Sequence, residues 1–215
     1  LRDEPIHKPV DENLVLRSLD TTPDAVWSLL LFAGYLKPTE PTDGADLRNV
    51  SLKIPNLEVK RDLENLVKDY FSKLVGGENN ARSMLAAMLR GDEGELQSYL
   101  NRILNYNASP YDADSRTPER FYHGVMLGLA VFLEPDYEVK SNHIGGRGRY
   151  DLMVIPRVKG QPGVCLEFKV SEGDEERALD LARRQIGEKD YTVELERRGA
   201  HPIYRMAVVF EGQRA

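Results

Sequence analysis

The sequence predicts an α/β fold: a mixed sheet flanked by helices and preceded by a small helical segment. Three observations carry that expectation. From Tyr137 onward three short β-rich runs, YEVKSNHI, YDLMVI and GVCLEFKV, replace a helical period. A long helical stretch, TPERFYHGVMLGLAVFL, stands before them. A second amphipathic stretch, DEERALDLARRQIGEKDY, and an apolar run, IYRMAVVF, follow. Helix, three strands, helix, strand is the order of a sheet covered on at least one face.

Residues 1–75 read as a unit of their own. TTPDAVWSLLLFAGYL, from Thr21 to Leu36, has a capping threonine, a proline in the first turn and dense apolar spacing, which predict a buried helix ended by Gly34 and Pro38. In ADLRNVSLKIPN, Leu47, Val50, Leu52 and Ile54 alternate with polar residues as in a strand or short hairpin, stopped by Pro55. LEVKRDLENLVKDYFSKL then sets Leu57, Leu63, Leu66, Val67, Tyr70 and Leu74 at helical spacing. Helix, strand, helix makes a winged-helix-like segment. WSLLLF is apolar nearly all round and is expected to pack against a neighbour, with Trp27, Phe32 and Tyr35 in a core. GGENN, from Gly76 to Asn80, is the expected linker, because paired glycines and asparagines favour turns.

Beyond it, Ala81 to Leu89 and Glu93 to Leu104 predict two amphipathic helices split at RGDEG, a helical lead-in over 80–106, with NASPYDADSR as a polar loop. The helix from Thr117 to Leu133 has a threonine N-cap and Pro118 at its first position. PRVKGQPG joins the second and third β-rich runs and has the length and Gly/Pro content of a hairpin loop.

At 215 residues, 41% hydrophobic and 30% charged, the chain has the composition of one large globular domain or two small ones. It holds no run of about 18 apolar residues and no basic-then-apolar leader, so no membrane span or secretion signal is expected and the cytoplasm is the default location. The opening Leu1 and the polar, proline-bearing start suggest a piece of a longer protein. A single cysteine, Cys165, excludes an internal disulfide and a cysteine-based zinc cage within one chain. The net charge of -6 argues against a general polyanion binder, although Lys140, Arg147, Arg149, Arg157 and Lys159 crowd one stretch.

Within that stretch, Asp151, Glu167 and Lys169 interrupt runs that otherwise read as buried strands. Alternation puts Cys165, Glu167 and Lys169 on one face of their strand and Leu166, Phe168 and Val170 on the other, the expected core face. Across a hairpin, the strand beginning at Asp151 lies beside the strand of Glu167, and the two carboxylates converge. Such hard oxygen ligands repel unless a cation sits between them, and Mg²⁺ or Mn²⁺ suits the place. A metal there polarises a phosphoryl oxygen and acidifies a bound water. Lys169 then orients or deprotonates that water, or stabilises charge in the transition state. The plain alternative for Glu167 and Lys169 is a structural pair on an exposed sheet face, with Cys165 packing beside it.

Asp, then a hairpin, then Glu-Phe-Lys resembles the PD-(D/E)XK nuclease superfamily, with Tyr150 where the proline usually precedes the aspartate. RFYHGVMLGLA, GRYDLMVIP, LEFKV, RRQIGEKDY and AVVF further resemble the nuclease-like C-terminal domain of bacterial and archaeal proteins that carry an AAA-ATPase-like domain. WSLLLFAGYL and SLKIPNLEV resemble the tail of that ATPase-like part. The resemblance implies a restriction-endonuclease-like fold over 76–215, its core at about 115–215, after a winged-helix-like tail over 1–75. It implies Asp151 and Glu167 as metal ligands, Lys169 as the catalytic lysine, Glu119 assisting the metal from the preceding helix, and Gln185 supporting the site from the following one. His123, one turn beyond Glu119, shares its helical face. With Arg147, Arg149, Lys189 and Tyr191 it is a candidate contact to nucleic acid. The implied activity is metal-dependent hydrolysis of phosphodiester bonds in nucleic acid, DNA being the expected form. An upstream AAA-ATPase-like domain is the implied partner, and a homo-oligomer stays open. The rival is a catalytically inactive nuclease-fold module that binds nucleic acid or docks on its own ATPase-like part. The phosphate loop GxxxxGK[ST] does not occur in this chain.

Overall fold

The computed structural model describes residues 4–14, 19, 21–40, 47–106, 118–145, 148–171, 173–188 and 192–210. Contacts divide the chain into Leu1–Leu66 and Val67–Ala215. The division falls inside a helix, α2 (Leu57–Leu74), and not at the double glycine. Gly76 and Gly77, with φ of 83° and 117°, turn α2 into α3 (Glu78–Arg90), so the asparagines of GGENN are helical. The Asn80 amide donates to the carbonyls of Val75 and Gly76 at 3.0 and 3.3 Å, binding the turn to the helix that follows.

The first unit holds a three-stranded antiparallel sheet in the order β1 (Ile6–Lys8), β3 (Val50–Lys53), β2 (Lys37–Pro38), with α1 (Ala25–Phe32) between β1 and β2 in sequence. Val10, Leu36, Val50 and Leu52 form its core, and Trp27 packs against them. α1 starts later than expected, because the Thr22 carbonyl accepts from the Ala25 N–H in a preceding turn and leaves Pro23 outside the helix. Phe32 and Tyr35, expected in a core, are 56% and 40% exposed. The N–H groups of Tyr35 and Leu36 both donate to the Leu30 carbonyl, so the chain folds back and Leu36 takes the inward place. Strands β1 and β2, three and two residues long, are too short for alternation to register in a sequence pattern.

The second unit is built on a mixed sheet, β4 (Tyr137–Gly145), β5 (Gly148–Pro156), β6 (Gly163–Val170) and β7 (Ile203–Phe210), in that order. The first three are antiparallel neighbours, and β7 lies parallel to β6 after α6 (Glu175–Glu188) and the five-residue α7 (Val193–Arg197), which sequence reading missed. α3, α4 (Glu93–Tyr106) and α5 (Pro118–Leu129) cover one face, with Met88, Ile103 and Leu129 in one core with Leu152, Leu166 and Val208. On the other face Ile186 of α6 and Leu195 of α7 pack with Met153, Ile155 and Cys165. The expectation of a single core face on β6 is therefore corrected: Cys165 and Glu167 are as buried as Leu166 and Phe168. Among the described residues no helix is long and apolar enough to cross a membrane.

Candidate active site

β5 and β6 pair in the register Leu152↔Leu166, Met153↔Cys165 and Val154↔Val164. One step further, the same register sets Asp151 opposite Glu167. There a side chain enters the ladder: the Phe168 N–H donates to Asp151 Oδ2 at 2.8 Å. This bond fixes the orientation of the carboxylate. His123, on α5, holds the backbone of the same residue, with Nε2 3.0 Å from the Asp151 carbonyl. A carbonyl only accepts, so Nε2 is the donor in this contact. The ring also lies beside Phe168, centroids 6.1 Å apart.

Glu167 is 1% exposed, and its Oε1 accepts from Lys169 Nζ at 2.8 Å. A buried carboxylate is costly unless charge and hydrogen bonds offset its lost hydration. On the other flank the parallel register pairs Cys165 with Arg205, Glu167 with Ala207 and Lys169 with Val209. Arg205, which sequence reasoning passed over, therefore shares the face of Glu167. The alternation within IYRMAVVF was the signal, but it acts only once the parallel register is known. The Arg205 guanidinium donates to Thr192 Oγ1 at 2.9 Å. Cys165 senses this charge pattern: burial and then Glu167 push its thiol up to about 12, Arg205 pulls it down, and Asp151 raises it further. It is a protonated packing group.

The structure thus brings Asp151, Glu167, Lys169 and His123 together at the β5–β6 junction. Glu119, Gln185 and Arg149 belong to α5, α6 and β5, but their side chains lie outside the described residues, as do Arg147, Lys189 and Tyr191 altogether. Tyr150, in the place of the expected proline, is fully buried and packs with Met153 and Ile155. Among the described residues no group of three or more His, Cys, Asp and Glu forms a metal cage. Two carboxylates from adjacent strands are a hard-oxygen pair, and Mg²⁺ commonly binds through one or two carboxylates with water filling the remaining positions. The carboxylate pair suits a hard divalent cation.

Residues 117–215 match a family model described as PD-(D/E)XK nuclease superfamily. The matched span contains α5, all four strands of the sheet, Asp151, Glu167 and Lys169. No curated protein matches the chain.

Proposed function

We propose that the second unit is a metal-dependent nuclease that hydrolyses phosphodiester bonds of nucleic acid, DNA being the expected form. The observation that carries this reading is the meeting of Asp151, Glu167 and Lys169 at adjacent strand positions, with Glu167 buried and Asp151 oriented by the Phe168 N–H. The superfamily match over the same residues supports it.

Asp151 and Glu167 would hold the ion. Bound Mg²⁺ or Mn²⁺ supplies a polarised phosphoryl group and an acidified water. The Phe168 N–H and His123 keep Asp151 in place, so no reorganisation is needed when substrate arrives. Lys169, on the face of Glu167, orients the attacking water or offsets charge building on the phosphate oxygens. Glu119 and Gln185 are assigned supporting roles from the two flanking helices. Arg147, Arg149, Lys189 and Tyr191 are assigned to the nucleic-acid backbone, where cations and hydroxyls position a substrate without reading its sequence.

The test is calorimetric titration of Mn²⁺ into the native chain, Asp151→Asn and Lys169→Met, with cleavage of single- and double-stranded DNA and RNA assayed on the same samples. Asparagine keeps an acceptor for the Phe168 N–H, so Asp151→Asn isolates the charge. Expected are metal binding lost in Asp151→Asn, and cleavage lost in both variants. Metal binding by the native chain without cleavage of any substrate would favour a nuclease-fold binding module. No metal binding at all would refute the catalytic reading.

A further inference from the structure

The outer edge of β7 is the floor of a cleft. Among the described residues β7 pairs with β6 alone. The Gly163 N–H donates to the Pro202 carbonyl at 2.9 Å and the Ser171 N–H to the Phe210 carbonyl at 2.8 Å, which bracket the ladder. Alternate residues of a strand bond to the same neighbour. The even-numbered residues of β7 therefore bond to β6, while Ile203, Arg205, Ala207 and Val209 turn their N–H and C=O groups to the opposite edge. Among the described residues nothing pairs with those four backbones. Arg205, Ala207 and Val209 also line the cleft. α4 walls the edge on one side with Leu96 and Leu100, and α6 on the other with Leu179, Arg183 and Ile186, around a cleft of about 350 Å³. Val209 is 6% exposed. Backbone polar groups in such a place cost free energy until a partner reaches them, and an unpaired strand edge is a template for one more strand.

We propose that this cleft takes an extended peptide of a partner protein, added beside β7 as a fifth strand and alternating apolar with acidic residues. The alternation follows from the walls. One set of the peptide's side chains meets the apolar side made by Leu96, Leu100, Met206 and Val208. The other set meets the side lined by Leu179, Ile186, Ala207 and Val209, at whose surface Arg183 and Arg205 are exposed, and among the described residues neither arginine forms an ion pair. Among the described residues Glu93, on the rim of α4, is the one acid in the lining. A second copy of β7 suits the cleft poorly: its own α4 and α6 flank it, and its Arg205 would add a cation to those already present. The inference stands independently of the hydrolysis proposed above.

The experiment is anisotropy titration of the chain into a labelled, N-acetylated octapeptide of alternating valine and glutamate. Controls are the valine–lysine peptide and two glutamate peptides N-methylated on one or the other set of alternate residues. Backbone amide exchange is followed with and without peptide. Saturable binding is expected, weakened about tenfold or more by N-methylation of one set only, because only one set of N–H groups faces β7. Arg183→Glu, an exposed change, should weaken the glutamate peptide by a similar factor and favour the lysine one. Exchange protection should rise at 203, 205, 207 and 209. Absence of binding, or equal binding of the N-methylated and plain peptides, overturns the proposal. So does protection of those amides before peptide is added, which would show that another segment of this chain or a second copy already covers the edge.

Discussion

Replacing Lys169 by methionine keeps the bulk of the side chain and removes a positive charge 2.8 Å from a carboxylate that is 1% exposed. Removing one partner of a buried ion pair costs about 3–5 kcal/mol. One escape of the folded variant is to protonate Glu167. From an ordinary carboxylate pKa of about 4.3 that escape costs about 1.4 kcal/mol per pH unit, or about 3.7 kcal/mol at pH 7 and about 1 kcal/mol at pH 5. The deficit should then be at most about 4 kcal/mol at pH 7 and at most about 1 kcal/mol at pH 5. The sign follows from linkage: in the variant the folded carboxyl has the raised pKa, so its stability is fullest below the unfolded value and is lost as pH rises. Urea unfolding at pH 5, 6, 7 and 8 measures this, with pulse alkylation of buried Cys165 reporting the opening of the second unit. A deficit below about 0.5 kcal/mol at pH 7, or one that does not shrink towards pH 5, would refute the view that Lys169 carries the charge balance of Glu167.

Cys165 itself, its thiol pushed up to about 12 by burial and by Glu167, should resist iodoacetamide at pH 8 in the folded chain and react fully in guanidinium, as mass spectrometry would show. Gly163→Ala sets a methyl 2.8 Å from the Ala200 Cβ and 2.9 Å from a Leu195 methyl, and should cost about 1–3 kcal/mol, read as a lower thermal midpoint. At Glu138 burial acts to raise the carboxyl, but the Arg198 hydrogen bond and the charges of Lys140, Arg198 and Arg157 outweigh it and lower the pKa. That contribution is present above the ordinary carboxylate value and is lost as pH falls through the lowered one, so Arg198→Ala should make acid unfolding less steep between pH 5 and 3, about the range in which carboxylates titrate.

Where local pattern and final structure obey one rule, the sequence was legible. β6 and β7 begin and end where their apolar runs do, and α2 spans the stretch with helical spacing. That the strand beginning at Asp151 lies beside the strand of Glu167 followed from reading PRVKGQPG as a hairpin loop. The misreading of β6 has a physical cause: alternation marks a wet face only if nothing returns to cover it, and α6 and α7 do return. The grip of the Phe168 N–H on Asp151 leaves no trace in composition, because it uses a backbone group every residue carries. The bare edge of β7 was equally hidden, since strand order alone decides which strand lies outermost. Phe32 and Tyr35 misled for the opposite reason, as apolar residues in a helical run that the fold leaves facing outward.

β6 has neighbours along both edges and helices over both faces. Local fluctuations that release a terminus or a loop cannot free such a strand, so its amides should exchange only when the whole unit opens. Glu167 and Lys169 thus ride on a segment expected to open only with the whole unit. Damage in the packing of α3 would reach them as a lower fraction of folded molecules and leave the arrangement in each folded molecule unchanged.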